Sequence, residues 1–520
     1  MFAYTQRLDS SKNLEKAIVQ QKNAERSAVA AKLAQKRAIE KEKQATLANE
    51  KAQNALNQLT KAIADLRAAV FSEEKAKIIA QQSLAEAQRE RDTANVQRTK
   101  ALTATNIANE KTEIANNLLM LAKARAMAGV SIQMEDNNAL AALLAKQAYI
   151  FNNRHFGKKY DPFIHSALYT ALTKIDGNSY NAIAVPGPAR NRINSVSLSK
   201  KSNSFYIAAA DGRIYKGNLD NQSLEPSGIQ NSYPNKSVSL SSSEKYIVVS
   251  SDSSYVQVYE TDKLTKKPSL IKLAGLVYDV ESIPNQDVFI VATSTGIWKL
   301  DPRTAKANQL ATTRDAIRNL LVNTTGSFVI GGTWKGSIYK IDLATSNVSL
   351  FIQEPNSKIL SLELHPSDTL FAYGFEEAGT NNRGLVKLIS LNTKKVVRQF
   401  TGHKAGVYDI EFSPDGELMA SAGSDKRLQL WVLWSPEDLP IVMDNNNGFV
   451  WDIAFAKGSD YLIATSNESQ VRFWPTDPAI LQNEICNKLN RNMNRYEWET
   501  YVGKDVKHEI TCIGLLVEDF

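Results

Sequence analysis

What the chain lacks narrows it first. Only two cysteines, Cys486 and Cys512, stand among its 520 residues. Two cannot complete a metal framework or staple a small secreted fold, so they are expected to be buried free thiols in a reducing cytoplasm. Five histidines, His155, His165, His365, His403 and His508, are scattered without metal-ligand spacing. No run approaches the ~18 apolar residues of a membrane span. The start, Met1-Phe-Ala-Tyr-Thr-Gln-Arg7, has no apolar signal-peptide core. Gly-x4-Gly-Lys-[Ser/Thr], Gly-x-Ser-x-Gly, His-Glu-x-x-His and Gly-x-Gly-x-x-Gly are all missing. No cofactor or metal is expected, and no enzyme.

Glycine and proline are absent from residues 1–128, which are dense in Ala, Lys, Gln, Glu and Asn. Such a run favours helix throughout and contains no breaker until Gly129. Leu56, Leu59, Ile63, Leu66 and Val70 alternate spacings of three and four, the seam of a coiled coil. Elsewhere the apolar positions are mostly alanine, as at Ala28, Ala31, Ala34 and Ala38, which allows close helix approach but buries little. One straight helix of that length would span roughly 190 Å, so a partner helix or a hairpin near Phe71-Ser72 is expected. The arm carries 22 Lys and Arg against 14 Asp and Glu, whereas the rest of the chain is nearly neutral. The interspersed acids disfavour nucleic acid. Peripheral contact with a membrane through this basic arm is the alternative use of it.

From 129 to 177 a folded helical connector is expected. Asp136 or Asn137 can cap a helix reaching Phe151, and Asp161-Pro162 can open a second that ends before Gly177.

What is abundant begins near Asn191, as a pattern repeated seven times to Pro475. Its fullest copy runs Gly402-His403, then Phe412-Ser-Pro-Asp-Gly416, Ser421, Asp425 and Trp431. Ser-Pro-Asp-Gly suits a tight turn, and the flanking alternation lets a strand bury one face. First-strand anchors recur at Val196, Val238, Val280, Leu320, Leu362, Ile410 and Ile453. Third-strand closers recur at Tyr215, Tyr259, Trp298, Tyr339, Ile389, Trp431 and Trp474. The spacings, about 39 to 50 residues, bracket the ~40–45 of a four-stranded propeller blade. These residues resemble WD-repeat β-propellers, which implies seven blades over 178–476. Residues near Ala182–Val185 are expected to supply the outer strand that the last blade lacks after Pro475. The resemblance also implies that His403, Ser421, Asp425 and Trp431 form a structural relay within one blade, not a hydrolytic triad.

Helices are expected again in the tail, 477–520, one from Pro478 to about Leu489. Asn494 with Glu497 has capping-box spacing. Cys486, Arg491-Asn492-Met493-Asn494, Glu497-Trp498, Tyr501-Val-Gly503 and Thr511-Cys512 together resemble the closing segment of bacterial signal-transduction NTPases with numerous domains, where threonine usually stands at the place of Asn494. The connector is similar to theirs too. That resemblance implies a sensor or scaffold half whose NTPase module is encoded separately, and the start of the chain looks like sequence downstream of a membrane anchor.

The expected architecture is therefore α plus all-β and multidomain: a long N-terminal coiled-coil helix, a helical connector, a seven-bladed β-propeller and a short helical tail. Val277-Tyr278-Asp279, Val407-Tyr408-Asp409 and Val450-Trp451-Asp452 share a pattern where the innermost strand begins. The place of the aromatic is taken in the other blades by Asn194, Lys236, Arg318 and Leu360. By the resemblance these seven ring the channel mouth, on the face that binds partners. The expected function is non-enzymatic protein binding in a bacterial signalling assembly, with the arm as homo- or hetero-oligomeriser. A structural scaffold acting through the arm is the alternative, and a hydrolase with a site in the channel a more distant one.

Overall fold

The computed structural model describes residues 73–188, 191–264, 267–379, 382–435, 439–444 and 446–517, with scattered positions between 40 and 61 that are helical. The seam from Leu56 to Val70, alanines 28–38 and the turn at 71–72 lie outside the described residues. Two compact units are present. One comprises 1–130, 147–158 and 500–506; the other comprises 131–146, 159–499 and 507–520.

Helix α1 (Glu73–Gln133) belongs mostly to the first unit. Ala87, Ala94, Ala101, Ala108, Ala115 and Ala122, seven residues apart, are all buried, while Val96, Ile107, Ile114 and Leu118 stay exposed. The helix does not stop at Gly129 as expected. A glycine inside a helix costs only about 1 kcal/mol relative to alanine, and the last carbonyls of α1 are well satisfied. Lys174 Nζ donates to the carbonyls of Ser131, Ile132 and Met134 at 3.0, 2.9 and 2.6 Å.

Helix α2 (Asn138–Arg154) starts where the Asn137 side chain accepts the Leu140 amide at 2.9 Å. In α3 (Pro162–Asp176), Asp161 caps the amides of Phe163 and Ile164. Gly177, at φ 81°, ends the helix.

The second unit is dominated by seven four-stranded antiparallel sheets. Their inner strands are Ile193–Leu198, Asn235–Leu240, Val277–Ser282, Ile317–Val322, Ser357–Leu364, Val407–Phe412 and Val450–Phe455. Each inner strand touches the next, and the last touches the first, so the sheets form a closed seven-bladed β-propeller. Blade 7 is completed by Ala182–Ala184, which pairs with Gln470–Pro475 from the other end of the domain. Side chains that alternate off each sheet meet those of the neighbouring blade. At the closure, Phe205 of blade 1 stands edge-on to Phe473 of blade 7, with centroids 5.8 Å apart. All seven first-strand anchors are buried. Five of the seven closers are buried too, with Trp298 and Tyr339 only partly covered.

Helix α4 (Pro478–Lys488) is capped by Asp477. Helix α5 (Arg495–Tyr501) opens with the reciprocal bonds Asn494 N to Glu497 Oε2 (3.0 Å) and Glu497 N to Asn494 Oδ1 (2.8 Å). One expectation fails in this tail. Cys486 and Cys512 are not free thiols but a disulfide, with Cα atoms 5.6 Å apart. Asn492 explains the approach: its side chain takes the Cys512 amide at 2.7 Å and gives to the carbonyls of Cys512 and Leu515, both at 2.9 Å. The tail is thereby folded back onto α4.

Candidate functional site: the mouth of the propeller channel

In every blade the pairing of first and second strands slips by one residue at the same place. Ile193 and Ser195 face consecutive residues of the second strand, leaving Asn194 unpaired. Tyr278, Arg318, Leu360, Tyr408 and Trp451 are likewise the extra residue of their strands. In blade 2 the slip lies between Asn235 and Val238 and contains Lys236. A β-bulge breaks the alternation of side chains and re-aims the extra one. Six of the seven mouth residues are thus set out of the ladder, the seventh lies within its slip, and all seven line one cavity of about 580 Å³.

They gather into two clusters. Tyr408 and Trp451 meet at 4.6 Å between ring centroids, with Phe449 5.9 Å and the Arg192 guanidinium 5.1 Å from Trp451. Elsewhere on the rim Arg318 lies 3.8 Å from the centroid of Tyr278 and 4.0 Å from that of Trp334, and Lys236 lies 5.4 Å from Tyr278. The remaining two do not join. Asn194 donates to the Asn235 carbonyl at 2.5 Å, and Leu360 is buried.

The position after each bulge residue is small and polar in all seven blades, and in most it fastens one blade to the next. Asp279 accepts the Leu320 amide, Asp409 the Ile453 amide and Asp452 the Val196 amide, each at 2.8 Å. Ser195 accepts the Val238 amide at 3.3 Å, Asn319 donates to the Leu360 carbonyl, and Ser361 to the Val407 carbonyl at 3.2 Å. Sequence reading named the aspartates only as part of a pattern. The signal was there in the register of the seven copies.

Deeper in the channel stand Glu281, Glu363 and Glu411. These glutamates line the channel space and are partly exposed to it, with the propeller walls around them. Burial pushes all of them up: Asp279 to about 6, and Glu411 to about 8 with the negative charge of Asp452 adding to it. Burial, then neighbouring carboxylates, hold Glu281 and Glu363 well above the ordinary range, with Lys200 opposing. Asp409 is raised by burial and then by the negative charge of Asp452, and burial raises Asp452 as well. Among the described residues no group of His, Cys, Asp and Glu is arranged to hold a metal ion.

Within blade 6, His403 Nδ1 faces Asp425 at 3.0 Å and Nε2 faces Ser421 Oγ at 2.9 Å; Trp431 Nε1 donates to that same oxygen at 3.0 Å. Burial raises Asp425, but bonds from His403 and the amides of Lys404 and Arg427 outweigh it and hold the carboxyl low. An ionised Asp425 assigns the proton to Nδ1, so Ser421 must donate to Nε2. The hydroxyl is fully buried and both of its roles are occupied. As a nucleophile it has no access to a substrate.

Residues 394–432 and 440–475 match the family model described as WD domain, G-beta repeat. The chain is 28% identical over 131 residues, 24% of its length, to human WD repeat and SOCS box-containing protein 1, of which the match covers 30%. It is 25% identical over 95 residues, 18% of the chain, to Protein tipD of Dictyostelium discoideum, covering 15% of that protein. Against human WD repeat-containing protein 36 it is 29% identical over 115 residues, 22% of the chain and 11% of that protein. The chain thus spans less than a third of each of these relatives. They are eukaryotic, whereas the resemblance of the tail pointed to bacterial proteins. The chain carries WD repeats in a seven-bladed propeller.

Proposed function

We propose that this chain is a non-enzymatic scaffold or sensor module that recognises protein through the mouth face of its propeller. The observation that carries this reading is the run of seven slips, one per blade, at which the mouth residues leave the ladder and surround one cavity. Tyr, Trp and Arg, four of the seven, are the residue types that anchor interfaces. Within the same proposal the arm oligomerises the chain, multiplying weak contacts at the mouth by raising their effective concentration. The tail motif supports a bacterial signalling assembly that includes an NTPase.

A cytoplasmic placement loses its premise, because the two thiols are paired and disulfides persist in oxidising surroundings. No described helix is long and apolar enough to cross a membrane.

The test uses the intact chain as bait, with wild type and a Tyr408→Ala/Trp451→Ala double variant compared by affinity purification and mass spectrometry. The variant should keep its melting temperature within a few degrees and lose proteins that the wild type captures. Equal capture by both would remove the mouth face from consideration.

A further inference from the structure

We infer that Arg318 is the point at which the propeller grips a partner, and that what it grips is a carboxylate, an aspartate or glutamate side chain of an acidic peptide segment. This inference depends on the mouth face being the recognition surface, and it names the chemistry recognised there.

Arg318 is the extra residue of the bulge in blade 4. Its guanidinium is held between two rings, Tyr278 of the preceding blade at 3.8 Å and Trp334 of its own blade at 4.0 Å. Two cation–π contacts restrain the side chain but use none of its N–H donors, because an aromatic face accepts no in-plane hydrogen bond. Among the described residues the Arg318 guanidinium makes no ion pair and no hydrogen bond. The neighbouring lysines differ: Lys236 is paired with Asp252 at 3.0 Å and Lys335 with Asp315 at 2.6 Å. A planar donor fork, already ordered and facing the cavity, matches a carboxylate in bidentate geometry and loses little freedom in binding it. Trp334 is half exposed, so a peptide backbone can lie against it while its acidic side chain reaches the guanidinium.

The surroundings limit the ligand to an isolated negative charge. Lys236 and Lys335 are already neutralised by Asp252 and Asp315, which leaves the Arg318 guanidinium as the unpaired positive charge of this cluster. A single carboxylate matches it, whereas a dense polyanion such as nucleic acid would bring many charges to one.

The probes are fluorescein-labelled decapeptides of alternating Gly-Glu, Gly-Gln, Gly-Lys and Gly-phosphoserine, titrated against the intact chain and read by anisotropy. The Gly-Glu peptide should bind at least tenfold more tightly than Gly-Gln, and the preference should shrink as salt rises. Arg318→Lys keeps a charge but loses the fork and the stacking, and should lose tenfold. Trp334→Ala removes one half of the clamp from a surface position and should lose threefold or more without altering the melting curve. Four outcomes overturn the inference: no binding of Gly-Glu by the wild type, equal affinity for Gly-Glu and Gly-Gln, a tenfold preference for Gly-Lys or Gly-phosphoserine, or unchanged binding in Arg318→Lys. Failure of the parent reading looks different. If Arg318→Ala still captures the proteins that Tyr408→Ala/Trp451→Ala loses, only the arginine assignment falls; if both variants capture everything, the mouth face falls with it.

Discussion

Single side chains in this protein are held by opposite responses to protons. His165 is buried between Tyr160 and Tyr169, with centroids 5.8 and 5.7 Å away, and neither ring nitrogen has a hydrogen-bond partner. Burial pushes its pKa down to about 3. The unfolded chain takes up that proton near 6.5, so its stabilising contribution is present above about 6.5 and is lost as pH falls towards 3. Glu411, raised to about 8, and Asp279, raised to about 6, run the other way. Their contribution is full below about 4, where the unfolded carboxyl is also protonated, and is lost as pH rises through 6 and 8. His165→Phe should therefore gain on the wild type in melting temperature as pH drops from 7 to 4, and Glu411→Gln should gain as it climbs from 6 to 9. Parallel curves for either variant would contradict its assignment. In the relay of blade 6, Ser421→Ala leaves the Trp431 indole N–H and His403 Nε2 without partners, while Nδ1 keeps Asp425. That should cost about 2–3 kcal/mol in urea unfolding; a loss under 0.5 kcal/mol would show the relay to be slack.

At the level of elements, caps and cross-links decide where helices begin and how the tail is held. Asp161 meets two amides at the start of α3, and Asp161→Ala should cost about 1 kcal/mol. The disulfide closes a loop whose ends are 26 residues apart. Closing a loop of that size stabilises by about 3.5 kcal/mol in the chain-entropy view, so Cys486→Ser, or reduction, should lower stability by that order. An unchanged unfolding midpoint after reduction would say that Asn492 alone fastens the tail. The helix caps were legible because aspartate, proline and glycine act on their own neighbours. The continuation of α1 past Gly129 was not, because what satisfies its last carbonyls is Lys174, 40 or more residues away.

For the whole molecule, ring closure is the decisive event. Ala182–Ala184 pairs with Gln470–Pro475, and Asp452 takes the Val196 amide across the same junction. Removing residues 182–184 from the intact chain should leave an unpaired edge on blade 7, and an exposed edge invites association. Light scattering should report aggregation that the wild type does not show at equal concentration; a monodisperse deletion variant would mean that the side-chain packing of Phe205 and Phe473 closes the ring unaided.

By itself the sequence determined the number of blades, the identity of the closing strand and the register in which each blade repeats, because these follow from apolar spacing and turn chemistry that act locally. It also brought the seven mouth positions together as a set, since they occupy the same place in each copy. Tertiary structure decided which of them meet. Arg318 lies between rings from two different blades, Leu360 is covered, and Cys486 reaches Cys512 because Asn492 turns the chain between them. Contacts of that kind depend on distances across the ring or through the tail, and the period of a repeat carries no information about them.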